Sequence, residues 1–372
     1  MSRPHRALWL HAVAGSLALG LACAPTDAAA GTLRGPDAQA IGDLDGATLF
    51  APAPVPWAAP LSDAAALGRV AADTLRYLNA AAPEPTMSGS LLHDVGITPE
   101  AQRATLDWVA RTAATDPTRL SDPATLARCL TAYRWTPDAG RKQVRLTRYL
   151  VYDVPGSAVP TDAQAFALWA PPKDEAGLTP AAALAQKDAL LRFRYTRQDV
   201  AAGVYKAGGA SAGAAEPLVW LTHAQHEQAL LQGTISVTLA DHTRHLYNVD
   251  RNNGMPYDRS LRDTTMQRRY WYFKEVPAIG GWGEAPTPKI RLEPFVAVAG
   301  DVYNVGLGAL LLLKSADGLR LTVLADTGGA FQPNLHQLDL YSGVFPDAAT
   351  FQRATAAIGD NADVWVLVYN GC

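Results

Sequence analysis

Cysteine is scarce in this 372-residue chain, with three in all, too few for a disulfide framework or a four-cysteine zinc site. Charge is scarce as well: charged residues make up 18%, below the quarter usual in soluble domains. Neither sign dominates, since 32 basic residues stand against 35 acidic ones for a net charge of −3. That balance excludes a protein that grips nucleic acid through its phosphates, because such affinity rests on a basic surplus. There is no internal repeat, and the 30 Gly and 26 Pro are dispersed, so no collagen-like or disordered tract forms. What is present is a hydrophobic fraction of 48%, enough for a substantial core in a chain long enough for two domains.

The N-terminus reads as an address. Arg3 and Arg6 precede an apolar run from Ala7 to Ala22, shorter than a comfortable membrane span, so residues 1–30 are expected to be a secretory signal. Two processing sites compete. Ala28-Ala29-Ala30 suits ordinary signal peptidase, whereas Leu19-Gly20-Leu21-Ala22-Cys23 resembles a lipobox that would make residues 1–22 the leader and Cys23 a lipid-anchored N-terminus. Loss of Arg3 and Arg6 takes the formal charge from −3 to −5. No later stretch is long and apolar enough to span a membrane. In an exported protein Cys129 and Cys372 are either a disulfide or two separate thiols.

Residues 31–60, rich in Ala, Pro and Gly, are expected to be a surface linker. Three helices follow. Ser62 caps the first, with Leu67, Val70, Thr74, Leu75 and Leu78 on one face; Thr98-Pro99 opens the second; Asp122-Pro123 opens the third. From Lys142 the apolar period falls to two, as in Ile235, Val237 and Leu239 and the returning Leu246–Val249. Asp317-Gly318 between two leucine-rich runs predicts a tight hairpin, and Asn361–Tyr369 a closing buried strand. Helices followed by many strands predict an α+β fold, mostly β, with a barrel or sandwich core.

Several motifs invite chemistry and are set aside. Asp326-Thr327-Gly328 after an apolar strand is how aspartic proteases present a carboxylate, but those enzymes need two such strings and only one is here. Gly209-Ala210-Ser211-Ala212-Gly213 matches a nucleophile elbow, yet residues 206–215 read as a flexible Ala/Gly loop without the strand and helix an elbow needs. His223, His226 and Glu227 share a helical face, which reads as a solvated surface because a third zinc ligand at helical spacing is missing. Three aspartates remain. Asp301, Asp326 and Asp339 each stand at the edge of an apolar segment, where Asp is disfavoured unless the strand end is functional or capped.

This three-aspartate pattern resembles the C-terminal domain of the membrane-bound lytic murein transglycosylase A family, across most of residues 145–372. Leu146-Thr147-Arg148-Tyr149 is similar to the family's Phe-Thr-Gly-Tyr at the mouth of its groove. Trp220 and Gln232-Gly233-Thr234 resemble its Trp and Gln-Gly-Ser. Asn253-Gly254-Met255-Pro256-Tyr257 resembles its Asn-Gly-x-Pro-Tyr, and Tyr270-Trp271-Tyr272-Phe273 its aromatic strand. The chain departs from the pattern at Arg148, Thr234 and Gly306, and in the short segment 258–269, where the family carries helix.

The resemblance implies a double-psi β-barrel domain with N-terminal helices, formed by residues 61–150 plus 258–372, and an inserted second β domain at 151–257. It implies cleavage of peptidoglycan glycan strands between N-acetylmuramic acid and N-acetylglucosamine, leaving a 1,6-anhydro end, in the periplasm or as an outer-membrane lipoprotein. Other cell-wall enzymes are further partners, and no metal or cofactor is called for. Asp339 would be the catalytic residue, with Asp326 and Asp301 shaping the site. Thr147, Tyr149, Gln232, Asn253, Gly254, Tyr257, Thr327 and Gly328 would contact substrate. Tyr149 and Trp220 would otherwise be core. The alternative is a glycan-binding or scaffolding protein that kept the groove and lost turnover. Between the carboxylates, Asp326 beside Gly328-Gly329 is expected to be held ionised by backbone N–H groups. Asp339, between Leu338 and Leu340, is expected to stay protonated.

Overall fold

The computed structural model describes residues 31–35, 39–80, 90–138, 140–256, 258, 260–283, 288–331 and 333–372. The leader with Cys23, and Tyr257, lie outside the described residues. After three short strands come four helices: α1 (Ala64–Ala80), α2 (Ser90–His93), α3 (Pro99–Thr115) and α4 (Pro123–Cys129). The caps of α3 and α4 follow the sequence, with Thr98 accepting from Ala101 N and Asp122 from Ala124 N and Thr125 N. At α1 the cap is Asp63, which accepts from Ala66 N, and not Ser62. Ser62 instead exchanges hydrogen bonds with the backbone of Leu321, tying the helix to the sheet. A Cβ on Gly68 would stand 2.2 Å from Ala113 Cβ, so only glycine lets α1 and α3 lie this close.

The strands are β1 (Gly31–Arg34), β2 (Ala40–Leu44), β3 (Phe50–Pro52), β4 (Leu130–Trp135), β5 (Val144–Pro155), β6 (Phe166–Trp169), β7 (Pro217–Leu221) and β8 (Thr234–Thr238). They continue with β9 (Arg244–Asn252), β10 (Trp271–Val276), β11 (Ala297–Ala299), β12 (Leu310–Ser315), β13 (Gly318–Asp326), β14 (Gln337–Phe345) and β15 (Asn361–Tyr369). Six of them close on themselves in the order β5–β14–β11–β13–β12–β15, the ring being completed where β15 pairs with the start of β5. Closure leaves these strands without free edges. It also explains the near-continuous apolar runs of β12 and β13, whose Leu310–Leu313 and Leu321–Ala325 are all buried. β15 carries β4 and β3 outside the ring.

Residues 31–60 are therefore not a tether throughout: β1 and β2 pair as a hairpin, and Phe50 of β3, 1% exposed, packs in the main core. Cys129 and Cys372 form a disulfide.

β5 is long enough to serve two bodies. Its first half pairs with β14 in the ring, and its last four residues, Tyr152–Pro155, pair in parallel with β8. β8, β9 and β10, the hairpin β6–β7, and the helices α5 (Pro180–Ala185), α6 (Arg197–Ala201) and α7 (His223–Gln232) make the second body with its own core. The last helix, α8 (Ala348–Thr355), follows β14. The boundary expected at 257/258 falls later, because β10 pairs with β9 and buries Tyr272 and Phe273 in the smaller core. The Ala/Gly stretch 206–215 is compactly wound rather than loose. Its Ser211 hydroxyl bonds Tyr195 Oη at 2.7 Å, and Gly209 lies against the backbone of Gly203 and Val204.

Candidate active site

One rung of the ring carries two of the three aspartates. Ala299 of β11 pairs with Asp326 of β13 on one side and with Asp339 of β14 on the other, and Asp339 pairs onward with Thr147 of β5. The two carboxylates thus flank a single alanine, roughly 10 Å apart at the backbone for two strand spacings. Alternation decides which way they face. Leu146, Leu338 and Leu340 are buried in the core, which turns Thr147, Gln337 and Asp339 to the other side of the sheet.

Asp339 is only partly bonded. Its Oδ1 is buried and has no hydrogen-bond partner in the protein. Burial pushes its carboxyl up to about 6, while the neighbouring Thr147 hydroxyl and the charges of Arg148 and Arg145 pull the other way. Thr147 is itself oriented: its Oγ1 donates to Leu338 O at 3.2 Å and accepts from Gln337 Nε2 at 2.9 Å.

Asp326 is bonded on both oxygens. Tyr149 Oη donates to Oδ2 at 2.8 Å, and the Thr327 N–H donates to Oδ1 at 2.9 Å. These bonds were expected to hold the group ionised. Burial outweighs them, and the carboxyl is likewise pushed up to about 6, so the expected contrast in acidity does not appear. The contrast lies in bonding. Tyr149 is raised well above the usual phenol range, by burial first and by Asp326 next. It therefore stays a proton donor to that carboxylate.

Asp301, fully buried, lies two residues beyond Ala299. Its carboxylate accepts from Asn304 N, Asn304 Nδ2 and Asn334 N, at 3.2, 2.7 and 3.0 Å. Asn304 in turn bonds the backbone of Arg34 in both directions. Asp301 thus fastens β1 and the loop before β14 to the strand end that holds the other two. Burial raises its pKa against these bonds.

The facing wall comes from the second body. A cavity of about 250 Å³ is lined by Gln232, Thr234 and Asn248 on that side and by Trp282, Lys289, Asp326 and Thr327 on the other. Gln232 ends α7, and Gly233, with φ 75°, turns the chain into β8. Thr327 Oγ1 donates to Gly300 O, while a Cβ on Gly328 would meet the Phe331 ring at 3.9 Å, an ordinary contact. Asn253 is not a groove residue. It is 1% exposed, and its amide donates to Tyr195 O and Arg268 O while its oxygen accepts from Met255 N and Tyr270 N. Gly254 lines a larger cavity that adjoins this one, and Trp220 sits in the smaller core.

Residues not singled out by sequence complete the site. Lys289 Nζ donates to Asn248 Oδ1 at 2.6 Å across the two bodies and lowers the pKa of Asp326 by its charge. Asn248 Nδ2 donates on to Thr234 Oγ1. Gly281 passes directly over Asp326: a Cβ there would stand 2.6 Å from Ala325 O and 3.1 Å from Asp326 Cβ. His226, expected on a solvated face, is 2% exposed between Phe166 and Tyr270. Among the described residues no group of three His, Cys, Asp or Glu side chains is placed to hold a metal ion, and no helix is long and apolar enough to cross a membrane.

No family model and no curated protein sequence matches the chain. Solved structures do. A membrane-bound lytic murein transglycosylase from Agrobacterium tumefaciens aligns with a TM-score of 0.57 at 17% identity, over 82% of this chain and 92% of that one. MltA of E. coli with bound chitohexaose aligns with a TM-score of 0.56 at 15% identity, over 90% and 98%. MltA from Neisseria gonorrhoeae aligns with a TM-score of 0.52 at 16% identity, over 87% and 97%. The chain shares the mixed, mostly β fold of these lytic transglycosylase structures over nearly their whole length.

Proposed function

We propose that the protein is an exported lytic transglycosylase of peptidoglycan, with a double-psi crossing in its six-stranded ring and Asp339 as the proton carrier. The observation that carries the reading is Asp339 itself: a strand-end carboxyl held up to about 6, with an oxygen that no protein group occupies. The shared fold supports the substrate class, since the E. coli protein of that fold binds chitohexaose, a β-1,4 glycan.

The chemistry needs one carboxyl. Protonated Asp339 gives its proton to the glycosidic oxygen as the bond to muramic C1 breaks. The muramic C6 oxygen attacks C1, and the Asp339 carboxylate takes the proton from that hydroxyl. One C–O bond breaks and one forms, the proton passes from O6 to the leaving sugar by way of Asp339, and no water is consumed. A hydrolase usually needs a second carboxylate as nucleophile or base. Here the intramolecular hydroxyl, held near the anomeric carbon, has a high effective concentration. A pKa near 6 suits a group that acts first as acid and then as base near neutral pH. Asp326 with Tyr149 is assigned to shaping and polarising the site. Gln232, Thr234 and Thr327 would hold hydroxyl or acetamido groups of the strand, and Asp301 is structural.

Digestion of purified sacculi tests the reading. Release of 1,6-anhydro-muropeptides supports it, and reducing-end products would contradict it. Retention on sacculi without any release would favour the glycan-binding alternative.

A further inference from the structure

The cleft beside Asp326 does not end at Lys289. A second cavity of about 930 Å³ shares Asn248, Val249, Gly280, Gly283 and Lys289 with it and runs on between α1, residues 276–280 and 288–291, and strands β9 and β10. Its floor is apolar, with Trp271, Phe193, Val276 and Ile279. Its walls are basic. Arg76, Arg192, Arg251, Lys274, Lys289 and Arg291 line it, against Asp73, Asp250 and Glu275. Glu175 lies beneath, bound by Arg192 and Arg251. Among the described residues, six cations thus face four carboxylates in a chain whose net charge is −3.

The carboxylates already have partners. Asp250 holds Lys274 and Arg251, Asp73 holds Arg76 and the Arg291 N–H, and Glu275 holds His245. Lys289 and Arg291 flank fully buried Ile290, so both project from the core into the cavity, and no ion pair among the described residues reaches Arg291. The site is a large pocket with an apolar floor and a cationic rim, adjoining the cleft beside Asp326.

The sugar backbone of a stem-bearing strand offers such a rim little, since N-acetylglucosamine is neutral and the lactyl carboxyl of muramic acid is taken up in the amide bond to the stem. We propose that this cavity receives the peptide stem of the strand. The stem is the short peptide amide-linked to the lactyl group of muramic acid; its free carboxylates would meet Lys289, Arg291 and Arg76, and its methyl and methylene groups the Trp271–Phe193 floor. This rests on the peptidoglycan reading above and extends it: the enzyme prefers strands that still carry their peptides.

The test is an affinity comparison in the full chain carrying Asp339→Asn, so that ligand is bound without turnover. The probes are a muropeptide-derived tetrasaccharide with its stem peptides and chitotetraose, which has the same β-1,4 backbone with neither stem nor lactyl carboxylate. The stem-bearing probe should bind about tenfold more tightly at about 20 mM salt, with the gap closing at about 500 mM. Adding Arg291→Glu and Arg76→Glu should bring the two affinities within about twofold by weakening only the stem-bearing probe, and Arg291→Gln should give a smaller change of the same sign. Equal affinity for both probes, parallel weakening of both, or no binding of either would overturn the inference. Anhydro-product release by the unaltered protein reports separately on the function it rests on.

Discussion

Asp326 ends β13 and Asp339 lies near the start of β14, on either side of Ala299, and burial pushes both carboxyls up to about 6. Their surroundings differ in bonding rather than in acidity. Asp326 has a phenol on one oxygen and a backbone N–H on the other, whereas Asp339 keeps a buried oxygen open. A carboxyl that is saturated by its own protein can shape a field; one with an open oxygen can pass a proton to a ligand. Degree of burial alone would not have separated them.

The comparison breaks most sharply under amidation. Asp339→Asn should lower anhydro-product formation by about 10³-fold or more, the range expected for loss of a general acid, with glycan binding kept. Asp326→Asn should cost about tenfold in turnover. It should also lose about 1–2 kcal/mol of stability, because an amide leaves one of the two donors, Tyr149 or Thr327 N–H, without an acceptor. Parallel kinetics and chemical denaturation of the two variants check both halves. Equal kinetic losses would erase the distinction.

Tyr149→Phe sharpens it from the other partner. Removing the phenol withdraws a bond that favours the ionised carboxylate, so the Asp326 pKa should rise above about 6. The variant should lose about 1–3 kcal/mol at pH 8 and less at pH 5, where Asp326 is protonated. Denaturation at the two pH values reads the difference.

A smaller effect follows from linkage. A carboxyl whose folded pKa is raised binds its proton more tightly folded than unfolded. Its stabilising contribution is therefore complete below the ordinary carboxylate range and is lost as pH rises through about 6. Asp339→Asn removes one such group. Its melting temperature relative to the parent should be higher at pH 7.5 than at pH 4, by roughly 2 °C.

The smallest effect concerns Arg148, which stands where the similar family motif has Gly. Its guanidinium is held by Gly359 O and by Asp360 at 2.8 Å, and its charge lowers the pKa of Asp339. Arg148→Ala should move the alkaline limb of the kcat/KM profile upward by about 0.3 pH unit, leaving the maximal rate near that of the parent.

Local chemistry was legible in the sequence wherever a few neighbours decide the outcome. The Asp317-Gly318 hairpin, the Thr98 and Asp122 caps and the closing strand Asn361–Tyr369 all follow from short-range rules. The ring was not legible from periodicity, because its closure depends on two residue pairs between β15 and β5 that lie more than two hundred positions apart. The second body's boundary failed for a similar reason: Tyr272 and Phe273 choose the smaller core only after β9 and β10 have paired. In the candidate site the three aspartates stood out as misfits at the edges of apolar runs. Lys289, Asn248 and Gly281 did not, since each is ordinary in its own stretch and matters only across the cleft. Asn253 had the opposite fate: its motif marked a turn whose buried amide ties Tyr195, Arg268 and Tyr270 together.

Titration of the carboxyl carbons by NMR tests the central claim most directly. With the Asp339 resonance assigned by its loss in Asp339→Asn, the account expects its midpoint near pH 6 in the free protein, and an upward shift when a chitooligosaccharide binds beside the carboxyl and excludes water. A midpoint near pH 4 that a bound glycan leaves unmoved would contradict the assignment of Asp339 as the proton carrier.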